Sequence, residues 1–277
     1  CQDLSNASMG KAMGMEKGSG TRSSLLWEIE RLLNIYQQKK KPKILFLENV
    51  PSLLSKKFYQ EYKKWTKTLE KFGYFTITIG DSNSEILSAI DFGIPQKRKR
   101  IYAVSFLKNN IKEKNLKEFT KKFFDILDSK KNNKFHSNKS SSLMYKKFIF
   151  VNNNLYQKES EEARVKMTPS RIKFIEIAKE KKLIYDGNNF KFIPTLTTKQ
   201  DRWPNSGFVK EKNFFRFLTP RETFLLMGFK NKNFESIKKD CIGKKFSRDI
   251  FWKQAGNSIC VNVLEAIFST IMEVINV

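Results

Sequence analysis

The side chains that could do chemistry in this 277-residue chain are a thiol, a carboxyl group and a pair of guanidinium groups. Cys1 begins a polar stretch, and a cysteine thiolate can attack an electron-poor carbon. Glu48 follows a short apolar run, where a carboxyl group can donate or accept a proton. Arg98 and Arg100 alternate with lysines, and guanidinium groups bind carboxylates and phosphates. These residue types allow nucleophilic catalysis assisted by proton transfer.

Each of these side chains also has an ordinary structural interpretation. A single cysteine is more often a small apolar residue of the core than a nucleophile. Glu48 is suited to cap a helix or to form a salt bridge, and the basic run 96–100 is suited to a solvated surface. The residue types alone therefore leave both interpretations open.

Helices and strands are predicted to alternate around these residues. A helix is predicted from residue 25 to about residue 38, and the continuous apolar run 44–47 indicates a strand buried on both faces of a parallel sheet. Residues 53–72 predict a second helix, closed by Gly73. Two more strands are predicted at 75–79 and 101–106. This order is typical of an α/β layer with crossover connections.

The character of the sequence changes near residue 107. Lys and Asn dominate beyond it, and only weak helical patterns follow, at 116–128 and 171–182. We therefore predict a smaller module over 107–215, flanked by the catalytic segments 1–106 and 216–277.

The last segment regains clear helical patterns. Thr219 is a good N-cap and Pro220 suits a first helical position, so a helix is predicted to run through Met227. A final helix is predicted from about residue 261 to residue 274.

The formal net charge is +25, from 53 basic and 28 acidic residues. Such an excess is typical of a chain that binds a phosphate backbone. A bias of the source genome toward Lys and Asn, with the lysines merely solvating a surface, is the alternative explanation.

The remaining composition bears on metals and membranes. Cys1, Cys241 and Cys260 form no CxxC pair, and with the single His136 they do not match a structural zinc site, so no metal is expected. No uninterrupted apolar run approaches the roughly 18 residues of a membrane span. We therefore expect a cytoplasmic protein with no membrane partner.

Several short motifs resemble, in order, those of the DNA (cytosine-5) methyltransferase family. They are Cys1-Gln2-Asp3-Leu4-Ser5 as nucleophile loop, Glu48-Asn49-Val50 as acid strand, residues 96–100 as arginine motif, residues 216–222 with Met227-Gly228-Phe229, and Gly256-Asn257-Ser258. The resemblance implies an α/β fold: an incomplete Rossmann-like, S-adenosylmethionine-dependent methyltransferase layer with an inserted small target-recognition domain.

The resemblance also implies a role for each motif. Cys1 would add its thiolate to C6 of cytosine, which makes C5 a nucleophile toward a methyl donor. Glu48 would hold a proton in a closed, dry pocket and bind N3 of the base. Arg98 and Arg100 would orient the glutamate and hold the base or its phosphate, with Arg100 nearer the base.

A base inside a stacked duplex is inaccessible to this chemistry, so the cytosine must be flipped out at a cost of a few kcal/mol. By resemblance, Gln2 and Ser5 contact the DNA backbone or hold the nucleophile loop closed. The Gly- and Ser-rich stretch 5–24 suits a mobile lid, with an ordinary surface loop as the alternative.

The module at 107–215 would be the target-recognition region. Its stretch 194–202 resembles the Thr-Leu-Thr segment that introduces the base-reading loop in this family. Base contacts in the major groove are expected from Gln200, Arg202 and Asn205. Other DNA contacts, mainly with phosphates, are expected from Thr197, Lys199 and Lys210. A polar loop without base contacts is the alternative.

S-adenosylmethionine is the implied cofactor, and Asn257 and Ser258 are the residues carried over to its pocket. The family's Gly-rich first motif, which binds this cofactor before the nucleophile, has no counterpart here. We therefore expect a fragment that binds double-stranded DNA and transfers no methyl group alone. An exposed apolar sheet edge and an exposed inner face of the last helix are expected as well.

Three alternatives remain at this point. The chain could be a subunit of a split methyltransferase, completed by an N-terminal polypeptide that carries the cofactor motifs. It could be a non-catalytic DNA-binding remnant, or a tRNA-directed member of the superfamily. The favoured expectation is a restriction-modification enzyme of the cytoplasm, associated with the nucleoid when bound to DNA.

Overall fold

The computed structural model describes residues 4, 14–36, 40–81, 84–112, 114–132, 142–188, 192–200, 206–240 and 248–275. The helices are α1 (Trp27–Ile35), α2 (Tyr59–Lys71), α3 (Leu116–Ser129), α4 (Ser142–Tyr145), α5 (Gln157–Glu162), α6 (Pro169–Glu180), α7 (Pro220–Leu225), α8 (Asn231–Asp240), α9 (Arg248–Asn257) and α10 (Val261–Ile275). The strands are β1 (Ile44–Asn49), β2 (Tyr74–Ile79), β3 (Leu87–Ser88), β4 (Gln96–Lys97), β5 (Lys99–Leu107), β6 (Ile184–Tyr185), β7 (Ile193–Pro194), β8 (Phe208–Lys210) and β9 (Phe215–Arg216).

The chain divides into two compact units. The first unit comprises Cys1–Leu87, Lys99–Ser129 and Phe268–Val277, and the second unit comprises Ser88–Arg98 and Lys130–Ile267. In this division α3 belongs to the first unit, and the predicted modules 1–106, 107–215 and 216–277 stay a prediction. The reason for the placement of α3 is that its Phe119 packs edge-on against Phe106 of β5, with ring centroids 5.1 Å apart.

The first unit is built on an antiparallel arrangement of three strands in the order β1-β5-β2. The prediction that β1 lies in a parallel sheet and is buried on both faces is therefore wrong. An apolar run fixes neither the direction of a strand nor its neighbours, and the side chains of β1 are only half-buried. Among the described strands β1 lies at the edge of this sheet.

The strand that is buried on both faces is β5. Its alternate residues Ile101, Ala103 and Leu107 join an apolar cluster with residues of α1 and α2, such as Leu33 and Trp65. The opposite face carries residues in between, among them Phe106, which contacts Phe119 and Phe123 of α3. Because side chains alternate along a strand, this period of two places helices on both faces of the sheet. The α/β class is confirmed.

Gly73 and Thr219 have the local roles that their residue types predict. Gly73 follows α2 with a positive φ of 88°, a conformation that glycine adopts without strain. The Thr219 hydroxyl accepts from the backbone N–H of Glu222, and the Glu222 carboxylate accepts from the backbone N–H of Thr219. This capping box begins α7 one residue later, at Pro220.

The second unit contains a three-stranded sheet in the order β6-β8-β9 and a separate parallel pair, β4 and β7. Its main apolar cluster includes Ile175 of α6, Phe208 of β8 and Trp252 of α9. This cluster holds the second unit together around its own core.

A buried ion cluster lies beside that core. Arg216 has no exposed side-chain surface and donates to Glu211 at 2.6 Å and to both oxygens of Glu222 at 2.8 and 2.9 Å. It also donates to the carbonyls of Phe217 and Phe150. A buried guanidinium is tolerated only when its N–H groups are satisfied in this way.

The last two helices form an apolar stretch. Residues Asp249–Ile275 reach a mean hydropathy of 1.7, which is enough by length and composition for a membrane span. The helix is interrupted between Asn257 and Val261, however, and Val263, Ile267 and Ile271 of α10 are buried in the fold. The buried share of this stretch is 39%, and Phe268 and Met272 of α10 are exposed.

Replacing Arg216 should be severely destabilising. The Arg216→Ala variant leaves the carboxylates of Glu211 and Glu222 buried without their cation, so the free energy of unfolding should fall by about 3–5 kcal/mol. The matched control is Arg164→Ala, which removes an arginine that is 56% exposed, and should cost less than about 1 kcal/mol. Urea unfolding followed by circular dichroism measures both, and equal losses would contradict the assignment.

Glu159 should make stability depend on pH. Burial disfavours its charge, but hydrogen bonds from Arg221 and Lys238 outweigh this and lower its pKa below the ordinary 4.5. As the pH falls, the unfolded chain therefore binds this proton before the folded chain does. The contribution of Glu159 to the free energy of unfolding is complete above about pH 4.5 and is lost as the pH falls through the lower native pKa.

Glu159→Gln should therefore lose less stability than the parent between about pH 6 and about pH 3 in urea titrations. Glu161→Gln, which alters a carboxylate that is 46% exposed on the same helix, should keep the parental pH dependence. A parental pH dependence in Glu159→Gln would show that Glu159 contributes none of it.

Candidate functional site

The carboxylate and one of the arginines singled out in the sequence meet in the first unit. Arg100 Nε donates to Glu48 Oε1 at 2.9 Å, and the two side chains are only 14% and 16% exposed. Arg100 Nη1 also donates to the carbonyl of Lys99 at 2.8 Å. The half-buried pair fixes the direction of the glutamate at the end of β1.

Strand register explains why these two residues meet. In the antiparallel pair of β1 and β5, Glu48 lies opposite Tyr102. Arg100 is two residues from Tyr102, so its side chain lies on the same face and is the diagonal neighbour of Glu48. Diagonal neighbours are within reach of long side chains, and the salt bridge follows from this register.

Arg98 has different partners, all in the second unit. Its guanidinium donates to the carbonyls of Leu196 at 2.9 Å, Gly256 at 3.1 Å and Ser258 at 2.8 Å, and the residue is 5% exposed. In this position Arg98 supports backbone segments, whereas Arg100 holds Glu48. Contact of Arg98 with a base or phosphate stays a prediction.

The described start of the predicted base-reading loop is tightly held. Gln200 is 1% exposed and its amide donates to the carbonyl of Thr197. The Thr197 hydroxyl in turn donates to the carbonyl of Lys199 at 3.1 Å. Contact of Gln200 with a base edge stays a prediction. Lys199 and Lys210 are exposed, as phosphate contacts require.

The residues expected near a cofactor lie at the junction of α9 and α10. Asn257 ends α9 and is exposed. The Ser258 hydroxyl donates to the carbonyl of Ala255 at 2.7 Å, so this side chain caps the end of α9. Their contact with S-adenosylmethionine stays a prediction.

Other predicted site residues lie outside the described residues. These are Cys1, Gln2, Ser5, Arg202 and Asn205. Within the part of the chain that the structure describes, no group of three or more His, Cys, Asp or Glu residues could hold a metal ion.

The described cysteine is unsuited to nucleophilic attack. Cys260 is 1% exposed, and burial raises the pKa of its thiol above the ordinary value. A thiolate is the reactive form of cysteine, so a buried thiol with a raised pKa is inert at neutral pH. Cys260 is therefore a core residue, which is consistent with the choice of Cys1 from the sequence.

Gln96 and Gly256 contribute to the site, although neither was assigned a role from the sequence. Both belong to the motifs quoted above. Gln96 is fully buried and bonds both Leu196 and Leu226. One signal in the sequence could have indicated that Gln96 is buried. It is the period of two in this segment, in which Gln96, Arg98 and Arg100 alternate with the exposed Lys97 and Lys99.

Comparisons with known proteins agree with the motifs. The family model for C-5 cytosine-specific DNA methylase matches residues 1–273. The orphan methyltransferase M.SssI of Spiroplasma monobiae is 32% identical over 98% of this chain and 63% of its own length. The type II methyltransferase M2.ScrFI of Lactococcus lactis subsp. cremoris is 33% identical over 99% of this chain and 64% of its own length. The chain thus spans less than two thirds of these relatives.

Solved structures show the same fold. The Dnmt2 methyltransferase of S. pombe superposes with a TM-score of 0.60 at 18% identity, over 96% of this chain and 77% of that protein. The methyltransferase EhMeth of Entamoeba histolytica gives a TM-score of 0.56 at 21% identity, over 99% of this chain and 74% of that protein. At these identities the likeness is one of fold.

The thiol of Cys260 should resist alkylation in the folded protein. Because the residue is buried and its pKa is raised, N-ethylmaleimide should label it at least about tenfold more slowly in the native than in the urea-unfolded chain. Peptide mass spectrometry of time points reads the site directly. Equal rates in both states would return Cys260 to the list of candidate nucleophiles.

Proposed function

Because the chain belongs to the C-5 cytosine-specific DNA methylase family, we propose that it forms the catalytic and DNA-reading part of a DNA (cytosine-5) methyltransferase. The reaction is transfer of a methyl group from S-adenosylmethionine to C5 of a cytosine flipped out of duplex DNA. The observation that carries the proposal is the salt bridge between Glu48 and Arg100, which sets a carboxyl group and a guanidinium side by side at a strand end.

The first step is addition of the Cys1 thiolate to C6 of the flipped cytosine. A new S–C6 bond forms, and the electron pair of the C5–C6 double bond moves toward N3. Glu48 hydrogen-bonds N3 through a proton shared between the carboxyl group and the ring, and so stabilises the charge that arrives there. Arg100 holds the glutamate in the orientation that this contact requires.

In the second step C5 is methylated, and the aromatic ring is then restored. C5 of the enamine would act as the nucleophile and form the new C–C bond with the methyl group, while the electron pair of the broken S–CH3 bond would stay with the departing methyl donor. Loss of the C5 proton to a base and breakage of the S–C6 bond return the thiolate and release 5-methylcytosine. The electron pair of the C5–H bond re-forms the C5–C6 double bond, and the pair of the S–C6 bond returns to the sulfur of Cys1.

S-adenosylmethionine supplies the electrophilic methyl group when it is bound. Among the described residues, Asn257 fits such a polar ligand because its side chain is exposed at the end of α9. The Ser258 hydroxyl is engaged with the carbonyl of Ala255, so Ser258 shapes the helix end beside that contact. Arg98 connects this helix end to the loop at Leu196 through its carbonyl hydrogen bonds.

The DNA partner is recognised by the second unit. Lys199 and Lys210 are exposed and bind phosphates, and Arg202 and Asn205 read base edges in the major groove. Gln200 orders the loop from its interior, in keeping with its burial. The net charge of +25 favours DNA binding through counterion release, at any sequence.

The proposed biological role is DNA modification in the cytoplasm. M2.ScrFI is named as a type II methyltransferase and M.SssI as an orphan methyltransferase. We assign this chain to the restriction-modification group, in which methylation protects the host DNA from an endonuclease.

A split enzyme is the second candidate. In the first unit, β1 lies at the edge of the described sheet, and Phe268 and Met272 are 45% and 53% exposed. An exposed apolar edge of this kind favours pairing with a further polypeptide, which would carry the cofactor motifs. Restoration of methyl transfer by a co-expressed cofactor-binding polypeptide would support this candidate.

The acceptor half of the site can be tested without the cofactor. Addition of Cys1 to C6 followed by protonation at C5 and elimination exchanges the C5 hydrogen with water. The 277-residue chain should therefore release tritium from duplex DNA that carries [5-³H]cytosine. It should transfer no methyl group from S-adenosylmethionine on its own.

Glu48→Gln should slow this exchange at least about 100-fold, because the general acid is lost, while duplex affinity stays within about twofold. Glu70→Gln, at a carboxylate that is 68% exposed, is the matched control and should exchange at the parental rate. Cys1→Ser should abolish exchange. Two results would favour the alternative that the chain is a non-catalytic DNA-binding remnant. One is an unchanged exchange rate in Glu48→Gln or Cys1→Ser, and the other is no exchange by the parent chain.

A further inference from the structure

Leu196, at the start of the predicted base-reading loop, has both of its backbone groups held by side chains of one short segment. Its N–H donates to Gln96 Oε1 at 2.9 Å, and its carbonyl accepts from Arg98 Nη1 at 2.9 Å. Leu196 is 1% exposed, so water does not replace these partners. Buried backbone groups that lose a partner cost about 1–3 kcal/mol each, so the segment fixes the loop at this point.

The two holding side chains are themselves anchored elsewhere in the second unit. Gln96 Nε2 donates to the carbonyl of Leu226 at 2.7 Å, just after α7. Arg98 Nη2 donates to the carbonyls of Gly256 and Ser258 at the end of α9. The loop is thereby connected to the ends of α7 and α9 through these hydrogen bonds, which hold it in a fixed position.

The neighbouring backbone is held equally closely. β4 and β7 pair in parallel, with Gln96 opposite Ile193, and the Thr195 hydroxyl donates to the carbonyl of Lys97 at 2.8 Å. Gly256 lies so near the loop that a Cβ at this position would come within 2.5 Å of the Thr198 nitrogen. Residues 195–198 therefore have one backbone path against the end of α9.

We propose that Gln96 and Arg98 are positioning residues that determine which DNA sequence the protein selects. They hold the backbone of Leu196, from which the predicted base-reading stretch continues, and through it set where that stretch meets the base edges. The inference rests on the proposed function, since it requires that this loop reads duplex DNA. Arg98 is thus assigned to sequence selection and Arg100 to the chemistry.

The physical effect is pre-organisation. A loop held in its binding conformation loses little conformational entropy when it meets the correct sequence, whereas a loosened loop must be ordered at that moment. Binding to any duplex through phosphates does not need this order, because counterion release depends on charge and not on register. A change that loosens the loop should therefore remove the preference for one DNA sequence, while the affinity for any duplex remains.

The experiment uses the full chain and a library of duplexes with a randomised central segment. Bound duplexes are sequenced, and affinity for one fixed duplex outside the selected motif is measured in parallel. The variants are Arg98→Lys, which keeps the charge but not the fork of donors, and Thr195→Val, which removes one hydroxyl at the loop start. Arg31→Lys is the matched control, because Arg31 is 58% exposed and pairs with Glu28.

The parent chain and Arg31→Lys should enrich the same motif. Arg98→Lys should lower this enrichment about tenfold, the size of one lost base contact, with affinity for the fixed duplex within about twofold of the parent. Thr195→Val should lower the enrichment in the same direction with unchanged stability. If Arg98→Lys does not fold, the loss of enrichment in Thr195→Val alone supports the proposal.

Three results would overturn it. The first is parental enrichment by a folded Arg98→Lys, or by Thr195→Val where Arg98→Lys does not fold. The second is an equal loss of affinity for the fixed duplex and for the motif, which indicates a structural role only. The third is a parent that enriches no motif, in which case sequence recognition by this chain fails as a proposed function and the inference fails with it.

Discussion

One salt bridge between two neighbouring antiparallel strands joins the carboxylate of Glu48 to the guanidinium of Arg100. Glu48 is the last residue but one of β1 and Arg100 is the second residue of β5, and the register that sets Glu48 opposite Tyr102 makes the two side chains diagonal neighbours. A shift of one residue would turn one of them to the other face of the sheet and separate them. The burial of β5 on both faces, by α3 on one side and by the cluster with α1 and α2 on the other, keeps that register in place.

The strand that carries Arg100 is continuous with the segment that holds the recognition loop. Within residues 96–100 every second side chain is buried or half-buried, and the lysines between them are exposed. The inward residues have separate partners: Gln96 and Arg98 bond backbone groups of the second unit, and Arg100 bonds Glu48 of the first unit. The two arginines at alternate positions of this five-residue segment therefore hold different groups: Arg98 holds backbone carbonyls and Arg100 holds a carboxylate.

Much of the fold could be predicted from the sequence. The helices and strands, the Thr219 cap and Gly73 follow from local periodicity and residue type. The meeting of Glu48 and Arg100 followed from the resemblance to a family, because an apolar run cannot specify its neighbouring strand or its direction. The same limit explains the wrong parallel sheet. The burial of Gln200 has no signal in its residue type, because a polar side chain between polar neighbours is more often exposed.

The central claim is that Glu48 and Arg100 act as one unit on the base. A double-mutant cycle tests it most directly, with the rate of C5-hydrogen exchange measured for Glu48→Gln, Arg100→Lys and the double variant. If Arg100 acts only by orienting Glu48, the double variant should be no slower than the slower single variant, because the second change removes nothing further. If the two losses multiply, the residues act independently and the account is contradicted.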